Sequence, residues 1–196
     1  LLCSVLGTAL RLSRDGDDDE QIEDYSEVWR PRLEGERHSK RVVEVLVSAI
    51  RDAVVLLVRT DPTNLPDVIR TLREHQWWIY RRLELHLLRV LGDAPTAAVI
   101  ELVDDETLLL RFPREYALLL QHEAHRLPGD VVLRLLQRID DGPDLDRFRR
   151  GHESLFGSAP TTEESQRAKR EWQLERLEPL KEILPSSWRE RHSGLV

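Results

Sequence analysis

"YRRLELHLLRVLGDAPTAAVIELVDD", residues 80–105, and "YALLLQHEAHRLPGDVVLRLLQRIDD", residues 116–141, are related by a gapless shift of 36 positions. Tyr80 falls on Tyr116, Leu83 on Leu119, His86 on His122 and Leu91 on Leu127. The match then carries Val99 onto Leu135, Ile100 onto Leu136, Val103 onto Ile139, and the pair Asp104-Asp105 onto Asp140-Asp141. The coincidences lie at helical spacing and stop on identical residues, so the unit reads as a helix, a turn and a second helix. Units of this length bury their apolar faces by stacking on one another.

Helical periodicity extends outward from this pair in both directions, and no stretch shows the sustained apolar–polar alternation of a half-buried strand. An opening helix is predicted in "LLCSVLGTALRLS". Ser39 is positioned to cap a helix running to about Arg59. Val42, Leu46, Ile50, Val54 and Leu57 spread over most of that helix's circumference, so it reads as a central helix packed on several sides. Shorter helices follow from Pro66, over 77–91 ending at Gly92, and over 95–103, 113–126 and 129–139, joined by short connections. The expected class is all-α, built of stacked antiparallel helix pairs as an α-solenoid-like array or an irregular helical bundle. Residues 1–38 read as an N-terminal helix, acidic loop and linker, and 39–150 as the helical-repeat core. A polar loop is expected over 151–162, and a C-terminal helical segment over 163–196. Thr161 and Glu164 have the spacing of a capping box that opens the last long helix.

With "LHLLRVLGD", "FPREYALLL" and "RLPGDVVLRLLQRIDDGPD" in view, the chain over roughly 39–148 resembles HEAT-like and armadillo-like α-solenoids. It also resembles the helical-repeat regions of large bacterial multidomain proteins of defence or signalling. That resemblance implies a non-catalytic scaffold or recognition segment of a larger cytoplasmic protein, contacting other proteins or other domains of its own chain. It implies no functional residue.

Composition narrows the alternatives. At 196 residues with 40% hydrophobic content, the chain can bury a core without disulfide staples, and its one cysteine, Cys3, has no intramolecular partner. The absence of methionine and the opening in mid-pattern read as a segment cut from a longer polypeptide. The long apolar run 42–58 carries Glu44, Arg51 and Asp52, so no membrane span is expected. A net charge of −7 disfavours general nucleic-acid binding, which rests on neutralising phosphates.

"QHEAHRLPG", residues 121–129, comes within one residue of the zinc-hydrolase helix H-E-x-x-H. His122 and His125 stand at i and i+3, however, and Glu123 loses the placement of the hydrolase base. A third ligand would have to come from His75, His152 or Glu153. Because His122 falls on His86 in the shifted alignment, both histidines are read as structural, at the packing between successive units. No metal and no cofactor is therefore expected, and a helical metal hydrolase is the third-ranked function. Asp15, Asp17 and Asp19 imitate a calcium loop, but Glu20 replaces its glycine and Ser26 its final glutamate. "GHESLFG" lacks the spacing and the sheet of a nucleophile elbow, and no phosphate-binding glycine motif is present.

One surface invites an interaction role. Adjacent Trp77 and Trp78 point in different directions on a helix, with Arg70, Arg73, Arg81 and Arg82 nearby. An exposed indole among arginines suits a protein, a peptide or a single-stranded nucleic acid, which makes a nucleic-acid-contacting module the second-ranked function. Packing of both tryptophans between helix pairs is the plainer alternative. Arg147, Arg149 and Arg150 form a second basic cluster, read as a solvated helix end or a dock for an acidic partner.

Overall fold

A computed structural model describes residues 1–12, 33 and 41–195, and these are all-α, with eleven α-helices, short 3-10 turns and no strand. The acidic stretch with Asp15, Asp17 and Asp19, the segment leading to Leu33 and the Ser39 cap lie outside the described residues. The chain divides into two compact units, Leu1–Ala94 and Pro95–Val196. That division falls inside the first matched copy, 80–105.

The first unit holds α1 (Leu2–Leu12), α2 (Val42–Thr60), α3 (Leu65–Arg73) and α4 (Trp78–Leu91). Its centre is α4, on which Ile79, Tyr80, Leu83, Leu85, Leu87 and Leu88 are all buried. This corrects the expectation that the 42–60 helix is central. Val47, Ile50 and Val58 of α2 are buried, yet Val42, Val45, Leu56 and Leu57 are 69%, 51%, 68% and 47% exposed. The physical reason is coverage: α1, α3 and α4 pack on α2, and among the described residues they leave these four side chains largely uncovered. Tyr80 ties α4 to α1 by donating its hydroxyl to the Cys3 carbonyl at 2.7 Å. Gly92 ends α4 with φ of 74°, a backbone state that glycine adopts without steric cost.

The second unit holds α5 (Thr96–Asp104), α6 (Glu106–Arg111), α7 (Pro113–Glu123), α8 (Gly129–Asp141), α9 (Leu145–Phe156), α10 (Thr162–Leu177) and α11 (Ser186–Leu195). Tyr116, Leu119, Leu135, Leu136 and Ile139 are buried in it, with Leu177, Leu180 and Leu184 from the C-terminal part. Helix ends are satisfied by side chains from later helices. Arg138 of α8 donates to the Val103 carbonyl at 3.0 Å and to the Asp104 carboxylate at 2.6 Å, covering the C-terminal end of α5. Gln173 of α10 donates to the carbonyls of Ile139 and Asp140 at 3.2 and 3.1 Å, doing the same for α8. The capping box at Thr161 and Glu164 is formed as the spacing predicts. The polar loop expected over 151–162 is corrected: the chain stays helical to Phe156, capped at its start by Asp144, which accepts from the Arg147 amide at 2.9 Å. None of α9's residues is buried.

Candidate functional site

The Trp–Arg stretch resolves into a packed part and a surface part. Trp77 is 6% exposed and Trp78 half-buried, while Arg82 is buried at 2%. Glu84, fully buried, accepts from Arg73 Nε at 3.0 Å through one oxygen and from Arg81 through the other. These two guanidiniums therefore neutralise an interior carboxylate, whose burial without partners would be costly. Arg70 remains exposed and pairs with Asp67 at 2.7 Å. Of the sequence-predicted group, the structure thus leaves Arg70 exposed and Trp78 half-buried, and commits Arg73 and Arg81 largely to Glu84. Arg147, Arg149 and Arg150 are all exposed on α9, with Arg149 paired to Asp146 at 3.0 Å.

The "QHEAHR" segment closes α7. The helix ends at Glu123 and passes into a 3-10 turn over Ala124–Arg126. Glu123 is 1% exposed and is held by His122 Nδ1 at 2.9 Å and Arg126 Nη1 at 2.6 Å. His122 is exposed and His125 exposed, and no group of three or more metal-ligating side chains gathers among the described residues. The expectation that His122 shares the inter-unit packing of His86 is corrected. The helix at 113–123 stops one residue later, and Glu123, rather than His122, turns inward.

His86 has a different setting. It is 8% exposed and borders a groove of about 370 Å3 between α2 and α4, lined by Arg51, Asp52, Val55, Leu56, Arg59 and Val90 besides itself. Its Nδ1 lies 3.3 Å from Arg89 Nη2. A guanidinium can only donate, so Nδ1 accepts and Nε2 carries the proton of a neutral ring. Burial first, then the charges of Arg89 and Arg51, push the imidazole down to about 4. Arg51 Nε contacts Asp52 at 2.7 Å and its Nη1 donates to the Leu33 carbonyl at 3.0 Å. Arg59 donates through Nη2 to the Val90 carbonyl at 3.0 Å. Sequence reasoning singled out His86 only as a repeat partner. The signal it lacked was the row Arg51, Val55, Arg59 at four-residue spacing on α2, with Arg89 one turn after His86 on α4.

Comparison of the chain with protein-family models, with curated proteins and with solved structures found no match.

Proposed function

We propose that this chain is a non-catalytic helical recognition or scaffold segment of a larger cytoplasmic protein, working through protein–protein or interdomain contacts. The supporting observation is the outer face of α2, where Val42, Val45 and Leu56 stand 69%, 51% and 68% exposed on one side of a five-turn helix. Large apolar side chains in helical register on a surface mark a face on which another helix or groove can pack. The helical-repeat reading and the solenoid resemblance belong to the same proposal. The nucleic-acid reading draws less support, because Trp77 is buried and Arg73 and Arg81 are engaged by Glu84. Among the described residues no helix is long and apolar enough to cross a membrane.

A photo-crosslinking side chain at position 45 tests the proposal. It should give discrete protein adducts in cells, competed away by excess wild-type chain and not by a V42E/V45E chain, whereas the same probe at the exposed Glu163 should give none. Failure to form such adducts, together with tight single-strand binding that weakens with salt and with Arg81→Ala or Trp78→Ala, would replace it with the nucleic-acid reading.

A further inference from the structure

Helix α9 is held in its unit by little besides its two ends. None of its twelve residues is buried, so its departure takes no side chain out of the core. Among the described residues it forms no hydrogen bond or ion pair with another helix. Its polar side-chain contacts stay local, Arg149 with Asp146 and His152 Nδ1 with the Ser158 carbonyl at 2.9 Å. The apolar and aromatic side chains Leu145, Phe148, His152, Leu155 and Phe156 fall within an arc of about 100°. The helix rests on α10, yet only the middle of that stripe is covered: Phe148 and His152 are half-buried, while Leu155 and Phe156 stand 79% and 70% exposed. Both ends turn on glycine, Gly142 before the helix at φ of 90° and Gly157 after it at φ of 73°. At such joints the chain can change direction with little steric hindrance.

The helices on either side keep their packing without it. Val132, Leu135, Leu136 and Ile139 of α8 are buried, as is Leu177 of α10. Gln173 of α10 binds the carbonyls of Ile139 and Asp140 directly. We propose that α9 is a strap that undocks and re-forms as one unit between Gly142 and Gly157 while α8 and α10 stay closed on each other, alternately covering and baring the side of α10 on which it rests. Twelve residues are too few to hold a helix in water on their own, so undocking and unravelling are one event. The ordering entropy of those backbones is opposed at the docked face chiefly by two half-buried rings, Phe148 and His152. Opening of the strap therefore lies far below global unfolding. Access to that side of α10 is then set by α9 and not by the core. The inference stands apart from the recognition face on α2, which belongs to the other unit.

Native-state hydrogen exchange on the full chain, followed amide by amide as denaturant is raised below the unfolding transition, tests the strap. The amides from Arg149 to Phe156 should exchange together, about a hundredfold faster than those of Leu136, Ile139 and Leu177, and with little dependence on denaturant. Phe148→Ala should speed the α9 amides about tenfold further and leave those of α8 and α10 unchanged. The wild-type measurement stands even if that variant folds poorly. Exchange in α9 that follows the denaturant dependence of α8 would overturn the proposal. So would rates that rise progressively from the helix ends, which would mean fraying, or α10 amides opening together with α9. Acceleration of α8 and α9 alike by Phe148→Ala would do the same, since it would make α9 part of the core's cooperative unit.

Discussion

His86 shows how a single side chain couples fold to solution conditions. Its ring pKa lies near 4 in the folded chain against an ordinary value of 6.5, so between those values the unfolded chain binds a proton that the folded chain refuses. The contribution of His86 to stability is therefore fully present above about pH 7, falls as the pH drops through the window from 6.5 towards 4, and levels below it. The loss at pH 5 should be on the order of 1–2 kcal/mol. Denaturant midpoints at pH 7 and 5 for the wild type and His86→Gln test it, the variant losing that part of the pH dependence. A wild type and variant with the same slope would show that the ring is solvated rather than buried. The alignment partner His122 lies exposed beside Glu123. Identical residues at matched positions thus differ because α4 continues past His86 to Leu91 whereas α7 stops at Glu123.

Helices were legible where their ends carried chemistry. Thr161 and Glu164 announced α10 by spacing, and the structure places the Thr161 hydroxyl on the Glu164 amide at 3.2 Å and the Glu164 carboxylate on the Thr161 amide at 2.7 Å. Thr161→Ala should therefore lower stability by about 1 kcal/mol in urea unfolding. A cost near zero would mean that the first turn frays in solution. Helix α9 was missed for a reason of the same kind. Gly151 and the small polar residues after it resemble a loop, while the pattern Leu145, Phe148, His152, Phe156 reads as a helix face only once Asp144 is recognised as its cap. The short α6 escaped because Glu106–Arg111 is too brief for periodicity to register, although Asp105 accepts from the Thr107 and Leu108 amides at 3.0 and 3.3 Å. The apolar girth of α2 suggested packing on several sides. Periodicity shows which faces a helix can bury, and the number of neighbours that arrive is a property of the tertiary arrangement.

For the whole molecule, the helical class could be read from the sequence, but the grouping of helices into cores could not. The first matched copy runs across Ala94 and Pro95, where the compact units divide, while the second lies within one unit, because a residue match reports helix faces and is silent on which helices share an interior. The two copies nevertheless use their conserved-looking ends alike in one respect. Asp104 is engaged by Arg134 and Arg138 from α8, and Asp140 by Arg191 from α11. Within the second unit, α9 adds no buried residue, and Phe156 stands 70% exposed just before Gly157, whose φ of 73° ends the helix. The covalent link there is consequently expected to be dispensable once folding is complete. Limited chymotrypsin digestion should cut after Phe156, and the fragment beginning at Gly157 should still co-elute with the rest under native conditions, separating only in denaturant. Release of that fragment without denaturant would show the opposite. Gln173 on the carbonyls of Ile139 and Asp140, and Arg176 on that of Leu109 at 3.4 Å, act as a clasp between two peptides that no longer share a backbone. The chain therefore offers a natural split point, at which two pieces supplied separately should reassemble.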